Sequence, residues 1–263
     1  MYSQPTAPRT IGGVLDDAFN LYRECLPHSW PLALAPEVAL ALTDIHLQSK
    51  LPAHVPTDPK ALFALLSSGD FLLSALLGFL MLMVFNLALT DHMHAIATRR
   101  QPALGRSLGV GLRLLPRAIV ASILIALATG VGFVLLLVPG VYLAGVLMLS
   151  FTAMIVGDLG ALDSLRISKR LIDGHWWRTM SLYSVATLIA LVFYIIVGLL
   201  FGLSVAPDPA ASAIMIGLQR LASVGVGMLM TIWFPAVLLS LYYDLELRRA
   251  GADLARRGGS LPS

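Results

Sequence analysis

Residues 118–138 read AIVASILIALATGVGFVLLLV, a long run without a charged side chain. An α-helix that crosses a bilayer needs about 20 such residues, because it rises about 1.5 Å per residue through about 30 Å of hydrocarbon. A membrane β-strand would be about half as long and would alternate apolar with polar residues, which this run does not do. The run therefore predicts a transmembrane helix.

The composition of the whole chain is that of a membrane protein. Of its 263 residues, 57% are hydrophobic and 13% are charged, whereas about 25% of the residues in a typical soluble domain are charged. The formal net charge is only +3, so the chain is not expected to bind nucleic acid. The single cysteine excludes an internal disulfide.

Further apolar stretches on both sides predict an all-α polytopic integral membrane protein with six transmembrane helices. The predicted crossings are residues 30–47, 71–90, 118–138, 141–156, 180–204 and 213–243. Pro139 and Gly140 predict a tight turn at the outer surface between the third and fourth crossings, because proline ends a helix and glycine accepts unusual backbone angles. Residues 1–247 are expected to form one transmembrane domain, and residues 248–263 a short basic cytoplasmic tail.

The distribution of positive charge predicts the orientation. If the N-terminus is cytoplasmic, all Lys and Arg residues except Lys50, Lys60 and Arg220 lie on the cytoplasmic side of the six crossings. Membrane insertion selects for this asymmetry. We therefore expect a multi-pass protein of the bacterial inner membrane with both termini in the cytoplasm.

Three amphipathic stretches, residues 11–26, 103–117 and 160–173, each precede a pair of predicted crossings. In the second stretch, the predicted apolar face consists of Leu104, Leu108, Leu112 and Leu115. We expect the three stretches to be cytoplasmic interfacial helices that lie in the headgroup plane. The resulting units 11–95, 103–158 and 160–247 are either true helix-plus-hairpin repeats or a convergent likeness.

Basic residues of the second and third stretches are candidates for binding lipid headgroups. A basic residue beside an anionic leaflet gains about 1 kcal/mol from electrostatic attraction. The alternative is that these charges only orient the chain. The candidates are Arg106, Arg113, Arg117, Arg166, Lys169 and Arg170.

Two motifs carry a resemblance to a known family. Residues 136–143 read LLVPGVYL, and residues 160–171 read GALDSLRISKRL before the tryptophans that open the fifth crossing. Together with FNLYR at residues 19–23, they resemble the YciC family of bacterial inner-membrane proteins. The chain is more loosely similar to the membrane domain attached to some glycerophosphodiester phosphodiesterases. The resemblance implies a six-helix inner-membrane protein of uncharacterised role and supplies no catalytic residues.

Glu37, which follows Pro36, is the most unusual residue of the first predicted crossing. A carboxylate near the middle of a membrane helix costs about 2.5–3.5 kcal/mol, so it should face protein or water rather than lipid. One interpretation is a proton or cation relay, or an anchor for a polar substrate. The other is an acid that only stabilises helix packing.

Four residues are weak candidates for a metal site. Asp91 and His94 are neighbours on one helical face, and His28 and His175 are expected at a similar depth. Carboxylate and imidazole groups could together bind a transition metal. No HExxH motif is present, and we expect neither a metal nor another cofactor.

These observations favour a non-enzymatic protein that acts in envelope or lipid organisation. Its expected partners are membrane lipids with anionic headgroups, and a homo-oligomer is left open. The alternative is a transporter of a small molecule or lipid, which predicts a water-accessible cavity around Glu37. A membrane-embedded hydrolase or metalloenzyme is the third hypothesis and predicts that Asp91, His94, His28 and His175 converge.

Overall fold

The computed structural model describes residues 2, 4–50, 58–201 and 213–258. These residues form helices and short connections without a strand, which confirms the all-α class. The helices are α1 (Ile11–Lys50), α2 (Pro59–Leu66), α3 (Gly69–Ala97), α4 (Leu104–Leu135), α5 (Leu137–Leu147), α6 (Ser150–Gly157), α7 (Ala161–Ile172), α8 (Trp176–Phe201) and α9 (Ala213–Gly258).

Five helical segments in the described part of the chain are long and apolar enough to cross a membrane. They are Gly69–Ala97, Leu104–Leu135, Leu137–Gly157, Trp176–Leu200 and Ile214–Gly251. Only 17% of the most apolar window of α4, and likewise of α8, is buried against protein. Such large exposed apolar surfaces require a lipid environment. The five apolar helices therefore indicate a multi-pass membrane protein.

The first predicted crossing, residues 30–47, is not among the five apolar segments. Its glutamate and its two prolines lower the hydropathy. It is part of α1, which runs without interruption from Ile11 to Lys50, so the predicted interfacial stretch 11–26 is not a separate helix. Pro27, which lies between the predicted interfacial stretch and the predicted crossing, is inside α1.

The apolar face of residues 11–26 is buried in the main hydrophobic core. Val14, Ala18 and Cys25 of this face are at most 1% exposed, because α1 packs chiefly against α9 and α3, whereas Phe19 is 52% exposed. The prediction that this face lies on lipid is therefore wrong. Protein covers all of it except Phe19.

The second amphipathic stretch is likewise continuous with the crossing that follows, inside α4. Leu112, predicted to belong to its apolar face, is 56% exposed. The side that faces the protein carries mainly small residues, and a Cβ at Gly111 would lie only 2.5 Å from the carbonyl oxygen of Val84 in α3. Small side chains let membrane helices approach closely. The buried stripe consists of Ser107, Gly111, Leu114, Ala118 and Ala121.

The turn between the third and fourth predicted crossings lies at Leu136, which is extended with φ −165° and ψ 151°. Pro139 and Gly140 instead belong to the first turn of α5, where the missing N–H of proline costs little. A Cβ at Gly140 would lie 2.5 Å from the ring of Phe133, so glycine permits α5 to fold back onto α4. The predicted hairpin is present, but its turn is displaced.

The fourth predicted crossing is interrupted in its interior, where Met148 and Leu149 separate α5 from α6. The hydroxyl of Ser168 in α7 donates to the carbonyl of Val146 (2.7 Å) and accepts from the N–H of Leu149 (3.2 Å). An unpaired backbone group in an apolar environment is costly. Ser168 therefore stabilises the interruption between the two helices.

The third stretch forms α7, a separate helix with a connection at residues 173–175 that includes Gly174 at φ 79°. The structure thus gives the three proposed repeat units different helix boundaries and does not confirm the repetition. The predicted boundary at residue 247 lies inside α9. The last residues of the predicted fifth crossing (202–204) and of the tail (259–263) lie outside the described residues.

Candidate functional site

The start of α1, the end of α3, the start of α8 and the end of α9 meet at one end of the bundle. Arg9 contacts Asp244, and His94 at the end of α3 contacts Tyr243. Arg249 donates to the carbonyl of Arg170 at the end of α7. We call this end of the bundle, where α4 also begins a few residues after α3 ends, the basic end. It brings together basic residues that are far apart in the sequence.

A buried carboxylate, Asp244, organises the basic end. Its side chain is 1% exposed, and its Oδ2 lies 3.0 Å from Nη2 of Arg178 and 2.9 Å from Nε of Arg248. Its Oδ1 accepts from the backbone N–H of Arg9 at 2.7 Å. Arg178 also donates to the carbonyl of Arg9 at 2.7 Å. One carboxylate thus joins the N-terminal segment, α8 and α9.

Asp244 is not among the site residues predicted from the sequence. A signal was present, since Asp244 and Arg248 have the i,i+4 spacing of a helical ion pair at the end of an apolar run. The two partners from α8 and from the N-terminal segment have no comparable local signal.

The N-terminal segment before α1 packs back onto the bundle. Tyr2 is 5% exposed, and its phenol lies near Asp17, Ser240 and Cys25, where burial raises the pKa of Tyr2. The backbone N–H of Tyr2 donates to the carboxylate of Glu24. The segment therefore covers part of the interface between α1 and α9.

Cys25 is fully buried under this segment, and burial raises the pKa of its thiol to about 12. Because the thiolate is the reactive form, we expect N-ethylmaleimide to modify the native protein in detergent slowly and the SDS-denatured protein rapidly. Intact-protein mass spectrometry would follow the single adduct.

The Tyr2→Ala variant should speed the reaction of Cys25 in the native state, because it removes the side chain that covers this part of the core. The wild-type protein treated in parallel is the control. Equal rates for native and denatured wild type would contradict the burial of Cys25.

Two of the headgroup candidates on α4 are paired with an acid. Nη2 of Arg113 and Nη1 of Arg117 each lie 3.1 Å from Oδ1 of Asp158. Asp158 ends α6 in the left-handed conformation, with φ 47°. Arg106 is exposed and makes no ion pair with any residue in the described ranges. The α4 stretch therefore keeps a net positive charge.

The candidates on α7 lie close by, because α4 packs against α7. Arg166 forms an exposed ion pair with Asp163 at 3.1 Å. Lys169 and Arg170 are exposed, and their side chains form no ion pair within the part of the chain that the structure describes. The structure thus places the six candidates on two adjacent helices.

Glu37 lies between α1 and α9 and is partly buried. Its Oε1 accepts from the hydroxyl of Thr231 at 2.8 Å. A Cβ at Gly227 would overlap the carboxylate, so glycine leaves the room that Glu37 occupies. Glu37 therefore links two helices by a hydrogen bond and packs directly against α9.

Among the residues that the structure describes, the four weak metal candidates form no metal-binding group. Nδ1 of His94 is buried and lies 2.7 Å from the hydroxyl of Tyr243, whereas His28 is exposed with Nδ1 3.3 Å from the carbonyl of Glu24. Within the described ranges, no group of three or more His, Cys, Asp or Glu side chains is placed to hold a metal ion. Asp91, His94, His28 and His175 therefore form no such group.

No family model, curated protein or solved structure matches this chain. The contacts described above are thus the basis for a proposal about its function.

Proposed function

We propose that this chain is a non-enzymatic protein of the bacterial inner membrane whose basic end binds anionic lipid headgroups. Through this binding it would act in envelope or lipid organisation. The observation that carries the proposal is the pair of adjacent helices, α4 and α7, with exposed basic side chains beside apolar surface that requires lipid.

The balance of charge supports binding of anions at this surface. Arg113 and Arg117 share one carboxylate, which leaves a positive charge even after pairing. Arg106 and Lys169 add two exposed charges. Attraction of about 1 kcal/mol per basic residue is expected at an anionic leaflet, and it weakens as salt screens the charges.

The proposal includes six crossings with both termini in the cytoplasm. The course of α1 supports a sixth crossing, because α1 begins beside Asp244 at the basic end and its Leu40 lies against Gly78, in the half of α3 farther from the basic end. An excess of basic residues on the cytoplasmic side supports the orientation. Membership of the YciC family, suggested by residues 136–143 and 160–171, is part of the same proposal.

The double substitution Arg106→Gln/Lys169→Gln tests headgroup binding. These two side chains form no ion pair within the described residues, so their replacement should leave the fold unchanged. In nanodiscs that contain phosphatidylglycerol and phosphatidylcholine, loss of two charges should lower the preference for phosphatidylglycerol by roughly 10-fold to 30-fold. Native mass spectrometry of the bound lipids would measure it.

Lys60→Gln is the matched control, because Lys60 is an exposed basic residue of α2, which precedes the end of α3 opposite the basic end. It should leave the lipid preference unchanged. The proposal fails if the double variant keeps the wild-type preference, or if Lys60→Gln lowers the preference equally.

A further inference from the structure

The turn between α4 and α5 is an exposed apolar surface at the end of the bundle opposite the basic end. From Gly130 to Val141 the chain has no polar side chain. Val134 is 88% exposed, and Leu136 is 69% exposed. By comparison, the start of α3 at the same end carries Ser68 and Asp70. We define residues 133–138 as the apolar tip.

The length of the α4–α5 hairpin limits how far the apolar tip can reach. Arg117 of α4 is paired with Asp158, and two such charges belong at the headgroup boundary rather than in hydrocarbon. From Arg117 to Leu136 the helix rises about 28 Å, slightly less than the hydrocarbon thickness of about 30 Å. A tilt of the helix shortens this reach. The apolar tip therefore does not extend beyond the hydrocarbon of the opposite leaflet.

Some backbone groups of the tip are paired within the hairpin itself. The N–H of Leu136 donates to the carbonyl of Gly132 at 3.0 Å, and its carbonyl accepts from the N–H of Gly140 at 3.5 Å. Pro139 has no N–H to satisfy. The start of α5 thus has fewer unpaired donors than an ordinary helix start, which lowers the cost of placing it in lipid.

We propose that the apolar tip is embedded in the hydrocarbon of the leaflet opposite the basic end and contacts lipid acyl chains. The hairpin of α4 and α5 thus ends inside the membrane, whereas the sequence alone predicts a turn at the outer surface. The proposal rests on the length, side chains and hydrogen bonds of the hairpin and does not depend on headgroup binding at the basic end.

Single cysteines in a Cys25→Ala background test the position of the tip. Leu136→Cys and Val134→Cys are the test variants, and Lys60→Cys is the control in a polar, exposed position. In nanodiscs, the charged reagent methanethiosulfonate ethyltrimethylammonium should label Lys60→Cys rapidly. It should label the tip cysteines at least about tenfold more slowly than Lys60→Cys, because an apolar environment disfavours the thiolate. After denaturation in SDS, all three should react alike.

A second measurement identifies what covers the tip. Bimane attached at Leu136→Cys or Val134→Cys should be quenched strongly by phosphatidylcholine with a nitroxide on its acyl chain and weakly by aqueous iodide. Fast labelling of both tip cysteines by the charged reagent would overturn the proposal. Slow labelling without quenching by the nitroxide lipid would also overturn it, because protein rather than lipid would then cover the tip.

Discussion

Replacing Asp244 with asparagine should lower the free energy of unfolding by about 3 kcal/mol, the usual cost of breaking a buried ion pair from one side. The substitution keeps the shape of the side chain but removes the charge that Arg178 and Arg248 share. Both guanidinium groups are partly buried and would lose their counter-charge. The N–H of Arg9 would also lose a charged acceptor.

Unfolding in mixed micelles with increasing SDS, followed by far-UV circular dichroism, would measure the effect of Asp244→Asn. Asp163→Asn is the matched control, because it removes the same charge from an ion pair in which both side chains are more than half exposed. The control should change stability by no more than about 0.5 kcal/mol. Equal losses in the two variants would show that Asp244 does not organise the basic end.

Gly111→Ala should destabilise the protein by about 2 kcal/mol, in the range of substitutions that overpack a core. The added Cβ would lie 2.5 Å from the carbonyl oxygen of Val84 and 3.2 Å from Cβ of Ala88. The first of these neighbours is backbone, which cannot move aside as a flexible side chain can. Helices α3 and α4 would have to separate.

Gly109→Ala provides the control within the same helix. A Cβ at Gly109 would have no neighbouring atom within 4 Å, so the substitution should stabilise the helix by about 0.5–1 kcal/mol. The same SDS unfolding would compare the two variants. Destabilisation by both, or by neither, would contradict the close contact between α3 and α4 at Gly111.

The predicted crossings that agree best with the observed helices are those that hydropathy of neighbouring residues is sufficient to identify. The predicted crossing 71–90 lies within Gly69–Ala97, and 180–204 begins four residues inside the helix that starts at Trp176. Hydropathy is a sum over neighbouring residues, so the sequence is sufficient to assign these segments to lipid. Glu37 lowers this sum in α1, which accordingly is not among the five segments that are apolar enough to cross a membrane.

The faces of the amphipathic stretches were harder to predict because apolar side chains can be covered either by lipid or by protein. In α4 the leucine face was expected to lie on lipid, and Leu112 of that face is exposed, but the sequence pattern did not indicate that Gly111 is buried against α3. In a membrane, close approach of backbones stabilises helix pairs, and small residues permit it. A hydropathy pattern does not contain this preference.

The sequence by itself determined that the chain is an all-helical membrane protein, and it identified the segments that carry the positive charge. Only the tertiary structure decided which polar groups meet. Asp244 and Arg9 are 235 residues apart, and Ser168 of α7 donates a hydrogen bond to Val146 of α5. Such pairs form because a buried polar group must find a partner, and the partner is chosen by how the helices pack rather than by any local pattern.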